Sequence, residues 1–345
     1  MYLHSLAHAV PPTVFSQPEV WEILRGSSQA RSLNPRSLAL LEKILLGQSG
    51  IHTRHVATDD PAKLLSMHAG ELNAYYEATA PALGSDALDR ALADANIQAG
   101  DIDALIVASC TGYLCPGPAS HVAEQSGLRE DCYLADMIGL GCGAALPALR
   151  SASHFLAAHP DATVAVVAVE VCSAAFFLID DPAVLISLCL FGDAASASLW
   201  RARPGLRCRG RLHGFRSVHQ PVHREKIRFT NHHGFLRNQL DRSVPALAGE
   251  TVATMTAGSS ASLICHPGGR DVLDAIATAI PGQAMDASRG VLRQFGNCSS
   301  PSVLLALEED LLARPQVESR TLASFGAGFS CHVARFESPD GQVAV

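Results

Sequence analysis

Twice in this chain an apolar run ends on a glycine turn that opens a helical pattern: Ala104-Leu-Ile-Val-Ala-Ser-Cys-Thr-Gly and Ala261-Ser-Leu-Ile-Cys-His-Pro-Gly-Gly. A short apolar run without alternation suits a strand covered on both faces, and such strands belong to layered α/β folds. The same grammar fills the chain around them. Residues 2–10 read as a strand ended by Pro11-Pro12, followed by helices over about 17–24 and 36–47. Ile51-His-Thr-Arg-His-Val reads as an exposed extended piece, and alanine-rich helices are predicted over roughly 61–80 and 85–95. A helix over 117–127, a strand ahead of Cys142, a helix from Cys142 onward and a strand over 162–171 continue the alternation. Leu190-Phe-Gly-Asp-Ala-Ala-Ser-Ala-Ser-Leu-Trp closes it as a glycine turn running into a strand. The second half repeats the pattern with helices over 245–258 and 270–280, another after Cys298-Ser-Ser-Pro, and Ser324-Phe-Gly-Ala-Gly-Phe-Ser-Cys-His-Val-Ala-Arg-Phe at its close. Two similar units are therefore expected, an N-terminal half over residues 1–205 and a C-terminal half over 206–345.

Hydrophobic residues make up 48% of the 345 positions and aromatics only 6%, so Ala, Leu, Val and Gly must build the interior. The net charge is −7, with no continuous block of basic residues, which gives a nucleic-acid role no electrostatic support. Ten cysteines lie scattered without a Cys-x-x-Cys pair, which suits a reducing cytoplasm better than a disulfide scaffold. The N-terminal residues lack a basic stretch followed by a long apolar run, so neither a signal peptide nor a membrane span is expected. Residues 207–233 stand apart, with five histidines, several arginines and little apolar periodicity. A metal site is one reading, but no metal-ligand spacing that includes a carboxylate partner appears, and a solvated strand-and-loop excursion near a pocket mouth is the expected form.

Three glycine-turn tips each carry a chemically capable residue. Cys142, in Gly-Leu-Gly-Cys-Gly, opens a segment with helical spacing at Leu146, Leu149, Ala152 and Leu156. Free N–H groups and the positive end of a helix dipole there favour a thiolate, the nucleophilic form. The flanking Gly141 and Gly143 leave room for an acyl group. His266, in His-Pro-Gly-Gly, and Asn297, in Gly-Asn-Cys-Ser-Ser, can donate hydrogen bonds to an oxyanion formed when a carbonyl is attacked. Each residue alone reads equally as a packed cysteine, a satisfied turn histidine or a turn-forming asparagine. The three together, two of them at parallel positions of the halves, point to acyl chemistry.

Gly50-Ile-His-Thr-Arg-His, Cys110-Thr-Gly with Pro116-Gly117, Gly139-Leu-Gly-Cys-Gly, Glu170, Leu190-Phe-Gly-Asp, His266-Pro-Gly-Gly, Gly296-Asn-Cys-Ser-Ser and Phe325-Gly-Ala-Gly follow one another along nearly the whole chain. In this the chain resembles the type III polyketide synthases, the chalcone and stilbene synthase family of the thiolase superfamily. The resemblance implies a five-layered αβαβα thiolase fold, a homodimer, and no metal or redox cofactor. It implies that Cys142 takes an acyl starter from its carrier, while His266 and Asn297 bind malonyl-CoA and stabilise the enolate left by decarboxylation. That carbanion attacks the acyl-Cys142, and repeated rounds end in cyclisation. Phe191 matches a gatekeeper between the CoA tunnel and the cavity. Thr111, Glu170, Cys172, Ala175, Gly192, Phe325 and Gly326 fall at pocket positions, and Cys115 at one that reaches across the dimer.

Departures from the family pattern shape the details. Leu41, Ile44 and Gln48 stand where plant members carry basic residues for CoA phosphates, leaving Lys43, Arg36 and Arg54 as nearby candidates. Such a rim leaves open delivery of the starter by an acyl-carrier protein. Cys172 and Ala175 replace threonines, which leans toward a fatty-acyl starter and an alkylpyrone or alkylresorcinol product. Ala327 stands where proline is frequent, and a second gatekeeper is expected near Phe235–Asn238. The alternative activities are a single condensation or acyl transfer of the ketoacyl-synthase-III kind, with carrier-protein-bound substrate, and a catalytically silent acyl-binding subunit.

Overall fold

A computed structural model describes residues 1–339. In chain order the elements begin with β1 (Tyr2–Ala9), β2 (Val14–Ser16), α1 (Gln17–Gly26), α2 (Pro35–Leu45), β3 (Thr53–His55), α3 (Pro61–Leu64) and α4 (Ala69–Ala95). Then come β4 (Ala104–Ala108), α5 (Pro118–Gln125), β5 (Tyr133–Met137), α6 (Ala145–Ala158), β6 (Thr163–Glu170), α7 (Pro182–Leu190) and β7 (Ala194–Arg201). The remainder comprises β8 (Gly210–His219), β9 (Ile227–His232), β10 (Phe235–Leu240), α8 (Val244–Thr256), β11 (Ser262–Cys265), α9 (Arg270–Ala279), α10 (Asp286–Phe295), α11 (Ser302–Ala313), β12 (Ser319–Gly326) and β13 (Ser330–Glu337). Local chemistry starts several helices. Asn34, Asp60 and Asp181 each accept a backbone N–H at a helix start whose first turn holds a proline, where no N–H is missed.

The strands run β5-β4-β6-β7-β1 in one half-sheet and β8-β13-β12-β11 in the other. Among the described residues the two half-sheets pair where Tyr2 and Leu3 of β1 meet Arg211 and Gly210 of β8. As the unbroken apolar runs require, β4 is buried at every residue and lies parallel to both β5 and β6, while β11 lies parallel to β12. Helices α6 and α11 fill the middle, where Ala145, Ala148, Leu149 and Ala152 share one core with Val303, Leu304 and Leu307 and with residues of both half-sheets. Helix α4 covers the outer face of the first half-sheet, and α8 and α9 that of the second. Five layers, αβαβα, result.

Two expectations are corrected here. The helices predicted over 61–80 and 85–95 are instead the short α3 and the single 27-residue α4, which carries Pro81 in its interior. Gly84 and Ser85 do not break it. A Cβ on Gly84 would lie 3.1 Å from Val122 and 3.5 Å from Val167, so the glycine lets the helix sit down on its neighbours. The segment Ile51–Val56 is not an exposed piece: Ile51, Arg54 and Val56 are all buried.

Candidate active site

Cys142 sits in a 3₁₀ turn, Gly141–Gly143, that leads into α6. The turn is held from the second half-sheet: Ser324 Oγ donates to the Gly143 carbonyl at 3.0 Å, and the His332 ring lies against Gly143. His266 follows β11, its backbone N–H donating to Ala323 O at 2.8 Å and its ring edge-on to Phe325 at 5.3 Å. Asn297 lies between α10 and α11. Its Oδ1 accepts the Ser299 N–H at 2.8 Å, which fixes the amide's orientation, and its Nδ2 donates to Gly268 O at 3.1 Å. That geometry leaves the second Nδ2 hydrogen uncommitted.

All three residues line one cavity of about 880 Å³. Thr111, Cys172, Ala175, Phe191 and Phe325 line it too, as expected of pocket residues. The walls beyond are apolar, with Phe176, Val184 and Leu188 in and before α7 and Leu236, Leu240 and Val244 from β10 and the start of α8. The histidine-rich segment forms β8 and the β9–β10 hairpin, and β10 supplies Leu236, Asn238 and Leu240 to the cavity. Phe235, named among the gatekeeper candidates, instead stacks on Phe177 at 4.8 Å. Ile44, Gln48 and Lys43 stand at the mouth, where Arg228, Arg242 and Arg270 join them; Leu41 is buried behind.

Burial dominates the electrostatics. It pushes the Cys142 thiol up to about 12, with a contact to Ser299 opposing and the Glu170 charge adding to the rise. Enclosure thus opposes the thiolate-favouring effect of the free N–H groups at this turn. The same cause depresses His266 to about 3, so its imidazole is neutral at physiological pH, and its Nδ1 meets no protein partner. A nucleophilic role for Cys142 would require a proton acceptor inside the cavity, and a neutral imidazole is one.

Four assigned positions are corrected. Arg54 does not reach a CoA phosphate at the rim. It is buried, its guanidinium donating to Leu188 O at 2.6 Å, Phe191 O at 2.7 Å and Gln17 Oε1 at 3.0 Å, so it staples the Phe191 turn. Glu170 lies behind the wall, accepting from Ser300 Oγ (2.6 Å), Thr111 Oγ1 (2.9 Å), Cys110 N (3.0 Å), Cys110 Sγ (3.2 Å) and Ser299 Oγ (3.3 Å). Burial raises its carboxyl despite them. Gly192 and Gly326 are close-packing positions, not cavity wall: a Cβ would meet Phe295 O at 2.5 Å in the first and Leu140 O at 2.5 Å in the second. Cys115 is exposed and outside the cavity of its own chain.

Sequence reasoning missed Cys110, Ser299 and Ser300 around Glu170. The signal was available, since a carboxylate on a fully apolar strand demands donors from adjacent turns. It also missed the backbone bridge between Phe191 and Asn297, in which Asn297 N donates to Leu190 O and Gly192 N to Asn297 O. That bridge couples the Phe191 turn to the Asn297 turn.

Residues 11–234 match the family model of FAE1/type III polyketide synthase-like proteins. A 1,3,6,8-tetrahydroxynaphthalene synthase of Streptomyces peucetius subsp. caesius is 31% identical over 93% of this chain and 89% of its own. An alpha-pyrone synthesis polyketide synthase-like protein, Pks18, of Mycobacterium tuberculosis is 27% identical over 82% of this chain and 77% of its own. The crystal structure of the Streptomyces coelicolor 1,3,6,8-tetrahydroxynaphthalene synthase superposes with a TM-score of 0.86 at 27% identity, covering 99% of this chain and all of that one. The five layers are thus those of the thiolase fold. With its glycine-turn motifs, its layered architecture and these relatives agreeing, the chain belongs to the type III polyketide synthase family, the acyltransferases that build polyketides by repeated decarboxylative condensation.

Proposed function

We propose that Cys142 is the nucleophile, and His266 and Asn297 the enolate-stabilising pair, of a synthase that extends a fatty-acyl starter with malonyl-CoA and cyclises the product to an alkylpyrone or alkylresorcinol. The observation that carries this reading is that the three residues line one cavity whose further walls, from α7 and β10, are aliphatic. Cys142 Sγ attacks the starter thioester, its proton passing by way of the neutral His266 imidazole to the departing carrier thiol. A ring N–H of His266 and the free Nδ2–H of Asn297 then hold the malonyl thioester oxygen. As CO2 leaves, the negative charge collects on that oxygen, where preorganised donors count most. The carbanion attacks the acyl-Cys142 carbonyl, the C–S bond breaks, and Cys142 is freed for the next round. Phe191 and Phe176 narrow the space and exclude water, which would otherwise protonate the carbanion.

Lys43, Arg242 and Arg270 at the mouth are proposed to meet the phosphates of the CoA thioesters. No metal or redox cofactor enters this chemistry. Among the described residues no helix is long and apolar enough to cross a membrane, and a cytoplasmic location suits an enzyme with ten free cysteines. A homodimer is proposed through the outer edge of β5, where Tyr133, Leu134 and Ile138 are exposed beside Tyr113 and Cys115. Residues 1–205 and 206–345 are taken as the two similar halves, one supplying Cys142 and the other His266 and Asn297. The test is to incubate the protein with malonyl-CoA and acyl-CoA starters from acetyl to stearoyl, plus aromatic ones, and to read products by LC–MS. Tri- and tetraketide pyrones or resorcinols from long-chain starters are expected; single-condensation products would reject the iterative reading.

A further inference from the structure

The net charge of −7 conceals a strong asymmetry. Residues 201–242 hold eleven Lys and Arg against two acidic residues, a local net of +9, which leaves −16 on the rest of the chain. Several upstream arginines of this segment are already engaged: Arg203 pairs with Asp161 on the surface, Arg209 with Asp94, and Arg201 donates to Thr163. Those beside the cavity mouth are not. Among the described residues Arg224, Lys226 and Arg242 form no direct ion pair and make no side-chain hydrogen bond, although Asp241 lies near enough to feel the charges of Lys226 and Arg242, and Arg228 pairs with Glu225. Arg224 and Lys226 lie on a 3₁₀ turn, Pro221–Lys226, that leads into the β9–β10 hairpin. The turn is tied to the mouth, since Asp241 N donates to Lys226 O at 2.8 Å and Asp241 itself lines the cavity. Apolar side chains accompany these cations. Val222, on the same turn, is 84% exposed, and Leu46, between the mouth residues Ile44 and Gly47, is 51% exposed.

We propose that this surface docks an acyl carrier protein, an acidic protein that presents its acyl group on a phosphopantetheine arm, and so delivers the starter to Cys142. The inference rests on the reading of Cys142 as the residue that accepts the starter. Unpaired cations interleaved with exposed aliphatic side chains fit an acidic helix with an apolar stripe. The phosphates of a free CoA account for cations that line the mouth. They do not account for Arg224 and Lys226, which lie outside the cavity lining, nor for an aliphatic side chain held in solvent beside them. Once docked, the arm enters the cavity, the Cys142 Sγ–acyl carbon bond forms, the acyl–pantetheine C–S bond breaks, and the thiol proton of Cys142 ends on the pantetheine sulfur.

Loading of Cys142 is read by intact-protein mass spectrometry, using an acyl carrier protein and CoA charged with the same fatty-acyl chain. The wild-type protein is expected to load from both, with the carrier-protein rate falling more steeply as NaCl rises from about 50 to about 300 mM, because screening weakens contacts between exposed charges. The double variant Arg224→Glu/Lys226→Glu is expected to raise KM for the acylated carrier protein at least about tenfold while KM for the acyl-CoA stays within about twofold. Unchanged acyl-CoA loading also shows that the variant is folded. Loading from CoA but not from the carrier protein overturns the proposal, as does an equal loss toward both thioesters, which would assign the two cations to CoA. If neither thioester loads Cys142, the role of Cys142 itself fails, and the docking proposal falls with it.

Discussion

Enclosure moves the protonation of Cys142 and His266, which line the same cavity, in opposite senses. Burial holds the thiol up at about 12 and the imidazole down at about 3, so each charge alone is costly, while a proton passed from one to the other creates two charges that offset each other. Removing the imidazole should expose the thiol's own behaviour. In His266→Ala, the thiolate fraction of Cys142 should grow about tenfold per pH unit, so iodoacetamide alkylation of the Cys142 peptide should keep climbing from pH 7 to 10. A plateau below pH 8 would contradict the burial argument. Cys142→Ala should abolish starter loading and leave malonyl-CoA decarboxylation measurable, whereas Asn297→Ala should cut CO2 release about 10²- to 10³-fold, the cost of losing one oxyanion donor. Undiminished CO2 release from Asn297→Ala would remove that residue from the mechanism. The convergence of Cys142, His266 and Asn297 on one cavity was legible in the sequence because glycine turns mark them and their side chains are chemically capable. Arg54, Glu170, Gly192 and Gly326 were legible as motif members but not in their placement. A motif places a residue at a turn without saying which side of the wall its side chain takes, and backbone carbonyls, which hold Arg54 and abut both glycines, leave no trace in residue identity.

At the scale of elements, the α6 spacing was readable from its period: Leu146, Leu149, Ala152 and Leu156 are all buried, and Leu149 is fully enclosed between the half-sheets. Leu149→Ala should therefore cost about 2–5 kcal/mol of stability, measured by urea unfolding. Helix α4 shows the opposite case. Pro81 and Gly84 carry breaker chemistry, yet packing against Val122 and Val167 overrides it, and only the tertiary neighbour reveals that. Strand β10 was hidden as well, because its segment lacks apolar alternation; Leu236 and Leu240 face the cavity while Arg237 pairs with Asp181. Because β10 forms one aliphatic wall, Leu236→Trp should shift starter preference from lauroyl- toward acetyl-CoA by at least about tenfold in kcat/KM, a small number of methylene equivalents. An unchanged preference would move the acyl chain to another wall.

For the whole molecule, the exposed apolar outer edge of β5 makes a specific demand. An unpaired edge carrying Tyr133 and Leu134, with Ile138 just beyond it, needs covering, and the Ile138→Glu variant should shift the protein from dimer to monomer by light scattering. A monomeric wild-type protein would reject the interface. One further consequence lies in the seam between the half-sheets. Among the described residues the strands of the two half-sheets pair only at the start of β1, so apart from the Phe191–Asn297 bridge and the Ser324–Gly143 contact the gap between the Cys142 turn and the His266 and Asn297 turns depends on the thickness of α6 and α11. Catalytic spacing is then a stacking height, a sum of alanine and leucine diameters in the central layer. Such a molecule is a caliper: a methyl group added or removed deep in its middle changes the opening at its jaws, far from any residue that touches substrate.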